Sequence, residues 1–240
     1  MHQHPHPSRA AECWHGARDS LPMLLGAAPF GLIFGTLALP KGLSAGGALA
    51  MSLIVFAGSS QFIALSLVAG KASLFVVILT TLVVNLRHAL YSASLLPFVS
   101  ALNQRWRAML AFWLTDETYA VVLYRYGEQD ASPYKQWYQL GSSLAMYSNW
   151  FVWTLLGVLL GASIPSLQHL GLEFAMAATF TGIVIPMLRD RPMVVAALVA
   201  AAVALLGRDL PYKLGLMLAA LAGVVAGMLM ERFAAREVAA

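Results

Sequence analysis

Eight apolar windows follow one another along the chain, each closed by short polar punctuation. They run Leu21–Leu39, Gly46–Ala69, Ser73–Pro97, Trp106–Tyr126, Tyr138–Ala162, Leu170–Leu188, Met193–Leu206 and Leu210–Met230. A helix needs about 20 residues to cross the hydrocarbon core of a bilayer. Every window except Met193–Leu206 meets that length. This short one reads as a short span or a re-entrant piece. "RDRP" before it and "GRDLPYK" after it look like true ends, which favours eight spans and leaves seven open. Composition agrees, since 60% of the residues are hydrophobic and 11% charged. A soluble domain carries about 25% charged residues. The expected fold is all-α: a polytopic transmembrane bundle, with several helices kinked or discontinuous.

The ends and loops are polar. Residues 1–20 read as a disordered cytoplasmic tail, 21–231 as the transmembrane domain and 232–240 as a short tail. The early histidines of the tail do not form a metal site, and a cleavable signal peptide does not fit its length. Cys13 is the one cysteine, so no intrachain disulfide forms. The net charge is +4, with basic residues at window ends. That pattern signals topology and headgroup contact rather than nucleic acid. With eight spans, the N-terminal side collects nine Lys and Arg against five opposite, which places the N-terminus in the cytoplasm. A faint echo between "LAMSLIVFAGSSQF" and "FAMAATFTGIVIP" admits an internal repeat of windows two and six. No phosphate-binding loop and no HExxH motif occurs, so neither that route to ATP nor an enzyme is indicated.

Several residues are costly to place against lipid. In "LPMLLGAAPFGLIFG", Pro29 beside Gly31 is a candidate hinge, and Gly26, Gly31 and Gly35 suit close helix approach. In "FAGSSQF", residues Gly58, Ser59, Ser60 and Gln61 form a polar patch at mid-window. A helix broken there must line a cavity or face protein. Window three carries Asn85, Arg87 and His88; window four carries Asp116 and Glu117. Arg87 lies ten residues before Pro97 and Asp116 ten residues after Trp106. At 1.5 Å per residue both sit about 15 Å from the same face. An Arg87–Asp116 or Arg87–Glu117 pair follows, either as a lock between helices or as part of a transport path. Asn149 falls at similar depth. Trp150 and Trp153 serve packing or gating, while Trp106 and Trp137 fit the interfacial belt.

The stretches "PFGLIFG", "SLIVFAGSSQF", "NLRHALYSASLLP", "LTDETYA", "NW" and "GLEFAMAATF", in this order, resemble the AzlC/YgaZ family of membrane proteins. The resemblance implies a secondary transporter that exports branched-chain amino acids. It also implies a small membrane partner of the AzlD/YgaH type and no cofactor. A homo-oligomer is compatible with it. On that reading Gly58, Ser59, Ser60, Gln61 or Arg87 offer donors to the substrate carboxylate, and Asn85 belongs to the same substrate site. Asp116, Glu117 and Asn149 offer acceptors to its ammonium, and Phe56, Phe62 and Phe180 form an apolar wall. Asp116 and Glu117, with His88 beside them, are the proton-coupling candidates. Whether Arg87 touches substrate or only holds Asp116 stays open. The rival classes are a structural membrane subunit and a channel.

Overall fold

The computed structural model describes residues 8–128, 132–163, 181, 185, 188–210 and 214–239. They form helices and no strand among the described residues. The helices are α1 (Arg9–Asp19), α2 (Leu21–Ala38), α3 (Ala45–Ala50), a π-turn (Met51–Val55) and α4 (Gly58–Ala69). Then come α5 (Leu74–Val99), α6 (Gln104–Phe112), α7 (Asp116–Gly127), α8 (Lys135–Ser163), α9 (Arg191–Leu206) and α10 (Leu214–Ala239). Starts follow side-chain caps: Ser44, Ser73, Asn103, Thr115 and Asp190 each accept a first-turn N–H. By length and apolarity α2, α5 and α8 qualify as membrane-crossing helices. The all-α membrane class therefore holds.

Windows two and four are not single helices, and neither runs straight through. In window two the π-turn ends at Phe56, whose backbone is left-handed (φ 43°, ψ 45°), and Ala57 is extended before α4 begins. Gln61 Nε2 donates to Ser52 Oγ at 3.0 Å. In a continuous helix nine residues would separate these positions by about 13 Å. Beyond the break, Phe56 packs with Ala27 and Phe30, Phe62 meets Phe34, and Leu65 joins the cluster of Ala38 and Ala48. So α4 runs parallel to α2 and returns to the side from which α3 entered. Window four behaves likewise from the opposite side. It breaks at Trp113–Thr115, and α7 then runs parallel to α5, with Tyr119 stacked on Tyr91 and Tyr126 on Phe98. At the same end Trp106, the start of the window, meets Trp137 at the start of α8.

Each of these two windows is thus a re-entrant pair of half-helices, not a traverse. The expectation that both cross is corrected on this point. A crossing helix followed by a re-entrant pair occurs twice: α2 with α3/α4, then α5 with α6/α7, in opposite directions. The echo of windows two and six falls mostly outside the described residues.

α2 and α8 run side by side along a seam of small residues. A Cβ on Gly31 would come within 2.9 Å of Trp153 Cβ, and one on Gly161 within 2.8 Å of the Thr36 backbone. Gly35 and Gly157 are tighter still, each against the facing backbone. Gly31, a candidate hinge, is therefore a close-packing position; α2 continues through Pro29 without interruption. A Gly157→Leu change must push the two backbones apart. It is expected to lower the thermal midpoint in detergent by about 5 °C or more, read by a melting curve.

The expected disordered tail is, over residues 9–19, a packed helix. Gly16 and Gly141 let α1 and α8 touch backbone to backbone, and Ser20 Oγ bonds Ser142 Oγ at 2.7 Å. Glu12, 1% exposed, takes Arg125 Nη2 at 2.7 Å and the Ser132 hydroxyl. Window seven is a regular helix, α9, in a hairpin with α10. Gly223 sits on Ala196 and Ala200, and Gly207 on Gly215.

Candidate functional site

The tips of the two re-entrant pairs meet at the middle of α5. Between them lies a small, partly open cavity of about 40 Å³. One tip contributes Phe56, Ala57, Gly58 and Ser59; the other Thr115, Asp116 and Glu117. Arg87 and His88 come from α5, with Ala27, Phe30, Met146 and Trp150 from α2 and α8.

The tips differ in electrical character. Ala57 provides no side-chain cap, so the first N–H groups of α4 keep their bonding capacity at the cavity. A helix N-terminus of this kind suits a carboxylate. The other tip is capped by Thr115 and places two carboxylates in its first turn. Arg87 joins the two. Its Nη1 forms an ion pair with Asp116 Oδ2 at 2.8 Å, and its Nη2 donates to Ser59 Oγ at 2.6 Å. The Arg87–Asp116 pair is one of the two that depth counting allowed. The two side chains share one depth because α6 enters from the face where α5 ends. Arg87 Nε and Asp116 Oδ1 are out of contact with solvent and find no hydrogen-bond partner among the described residues. No cation among the described residues reaches Glu117 within ion-pair distance.

Of the residues singled out in the sequence, Phe56, Gly58, Ser59, Phe62, Arg87, His88, Asp116, Glu117 and Trp150 line this cavity. Others stand behind it. Gln61 is fully buried: besides its bond to Ser52, its Oε1 accepts from Trp150 Nε1 at 3.0 Å, and Ser52 Oγ lies 3.0 Å from Thr154 Oγ1. This network fixes the Trp150 ring, against which Gly58 fits so closely that a Cβ would stand 2.8 Å away. Ser60 Oγ bonds Asn85 Oδ1 at 2.5 Å, tying α4 to α5. Asn149 donates to Leu24 O and accepts from Trp153 Nε1, both at 3.1 Å. Pro29 and Gly31 do not line the cavity either. Phe180 lies outside the described residues.

Sequence reasoning passed over Ala27, Phe30, Ala57, Thr115 and Met146. For Thr115 a signal existed: Thr followed by Asp-Glu is a helix start. Among the described residues no group of three or more His, Cys, Asp or Glu is placed to hold a metal ion.

Comparison with known proteins adds the family. Residues 22–164 match the family described as AzlC protein. An uncharacterized membrane protein of Helicobacter pylori is 36% identical over 68% of this chain and 72% of its own. The inner membrane protein YgaZ of Escherichia coli is 29% identical over 92% and 89%. The branched-chain amino acid transport protein AzlC of Bacillus subtilis is 26% identical over 73% and 69%. No solved structure matches the chain. With a family match across more than half its length, the chain belongs to the AzlC family of membrane proteins.

Proposed function

We propose that this chain is an inner-membrane secondary transporter that exports valine, leucine and isoleucine, with the cavity around Arg87 as its substrate site. The observation that carries the reading is the pairing of unlike tips across one cavity. A zwitterion has two charges to satisfy. The uncapped start of α4, with Ser59 and Arg87, suits its carboxylate. Glu117 and Asp116, at the other tip, suit its ammonium. The side chain then meets Phe30, Phe56, Phe62, Met146 and Trp150, an apolar wall fit for a branched aliphatic group. The printed name of the Bacillus relative supports the substrate class.

Export couples to protons in this reading, because protonation of Asp116 or Glu117 changes what Arg87 and the substrate ammonium bind. Re-entrant pairs change the charge count in favour of a cytoplasmic N-terminus. Up to the start of α8, Arg9, Arg18, Arg105, Arg107, Arg125 and Lys135 now share the N-terminal side, against Lys41 and Lys71 opposite. A small membrane protein of the AzlD/YgaH type completes the exporter.

Cells loaded with labelled valine, leucine or isoleucine test the proposal. Expression of the chain should speed efflux severalfold over vector. A Glu117→Gln variant at equal membrane level should return it to the vector rate. Efflux equal to vector, with and without a co-expressed small subunit, leaves a structural subunit as the better reading.

A further inference from the structure

We infer that the two re-entrant tips are separate gates opening to opposite faces of the membrane, and that Arg87 is the latch common to both. The inference deepens the transport reading by assigning moving parts to the same site.

Three observations carry it. First, each tip hangs from one face only. The α3/α4 pair enters and leaves where α2 ends, and the α6/α7 pair where α5 ends. A small outward swing of one pair opens the cavity to its own face and leaves the other pair in place.

Second, a single guanidinium holds both. Ser59 on one tip and Asp116 on the other bond different nitrogens of Arg87. Arg87 itself stands on α5, a helix running unbroken from Leu74 to Val99, so the latch post is fixed while the tips move. A planar fork with several donors suits this double duty, and an ammonium does not.

Third, the tips carry features of parts that rearrange. Phe56, a bulky residue, is held in the left-handed region right after a π-turn. Arg87 Nε and Asp116 Oδ1 are buried with bonding capacity unspent in this arrangement. A cavity-bound carboxylate or ammonium can take up that capacity and compete for the latch, so substrate binding and gate release are the same event. Ser59 and Arg87 act here as positioning residues for the gates. Ser60, through Asn85, is a second tie on the first tip only.

A labelling experiment tests this without measuring transport. Cys13→Ser removes the native thiol, and Ala57→Cys puts one in the cavity wall. A membrane-impermeant maleimide is applied to intact cells and to inverted vesicles, reaching opposite faces. Releasing the first tip with Ser59→Ala plus Ser60→Ala should raise labelling severalfold from one face only. Releasing the second with Asp116→Asn should raise it severalfold from the other face only. Losing a charge-assisted hydrogen bond sets that scale. Arg87→Ala combined with Ser60→Ala should raise labelling from both faces. Ser59→Thr, which keeps the hydroxyl, should label as the parent does.

Enhanced labelling from the same face in both releasing variants overturns the two-gate assignment. Unchanged labelling in folded variants, judged by a single cooperative melting transition, overturns the latch. A chain that passes this test and moves no amino acid loses the transport reading and keeps its gates, so the two failures are distinguishable.

Discussion

Arg87→Ala is expected to abolish efflux of branched-chain amino acids while leaving a folded protein in the membrane. The guanidinium makes the closest polar contacts between the tips, at 2.6 Å to Ser59 and 2.8 Å to Asp116. Truncation removes both and leaves Asp116 without its counter-charge. A fully buried pair broken this way costs about 3–5 kcal/mol. Here the side chains are 25% and 22% exposed, so the cost falls to about 1–2 kcal/mol. Arg87→Lys should fail to restore efflux, since an ammonium cannot span both tips in the same fork geometry. The double change Arg87→Ala with Asp116→Asn separates the roles. It removes the uncompensated charge and should recover most of the lost thermal stability, with efflux still absent. Efflux normalised to membrane level, alongside melting in detergent, checks each variant. Efflux regained by the double variant would make the pair a helix lock and nothing more.

Gln61→Ala should give the largest loss of stability among the polar substitutions. Gln61 is wholly buried and uses both ends of its amide, donating to Ser52 and accepting from Trp150. Alanine leaves the Trp150 indole N–H without its acceptor, at about 1–3 kcal/mol, while the Ser52 hydroxyl keeps its bond to Thr154. In a chain of this length 1 kcal/mol moves the midpoint by about 2–4 °C. A drop of roughly 2–12 °C is expected on that basis, in protein without any substrate. By contrast Glu117→Gln, a change at the cavity wall, should leave the midpoint close to the parent's. The comparison needs only melting curves on the purified variants. Equal midpoints for the two would show that the Ser52–Gln61–Trp150 chain does not hold the first tip.

Much of this organisation is legible in the sequence because lipid imposes strict rules. Apolar windows locate the helices, and the cost of a charge in hydrocarbon, together with matching depth, makes Arg87 and Asp116 candidate partners. The polar, glycine-containing "FAGSSQF" marks a break, which falls just before Gly58. What stays hidden is direction. A half-helix that turns back has the same length and hydropathy as half of a span, so windows two and four read as traverses. The break at Trp113–Thr115 carries neither Gly nor Pro, and only the Thr-Asp-Glu start betrays it. Gln61 and Asn149 are legible as buried polar groups, but amides bond equally well to substrate or to neighbouring protein. Only the positions of Ser52, Trp150 and Leu24 show which partners they have. The packed α1 escapes a sequence reading because its polar surface suits water. Its fit depends on Gly16 and Gly141, whose meeting requires the fold.

The cavity between the two tips can be probed as the amino-acid path with a single thiol. Cells carrying the Cys13→Ser, Ala57→Cys chain are loaded with labelled leucine. Efflux is then followed before and after stoichiometric alkylation of the introduced thiol, with Cys13→Ser alone as the control. Alkylation should stop efflux in the first strain and leave the control unchanged. Full efflux after complete alkylation would contradict a path past Arg87.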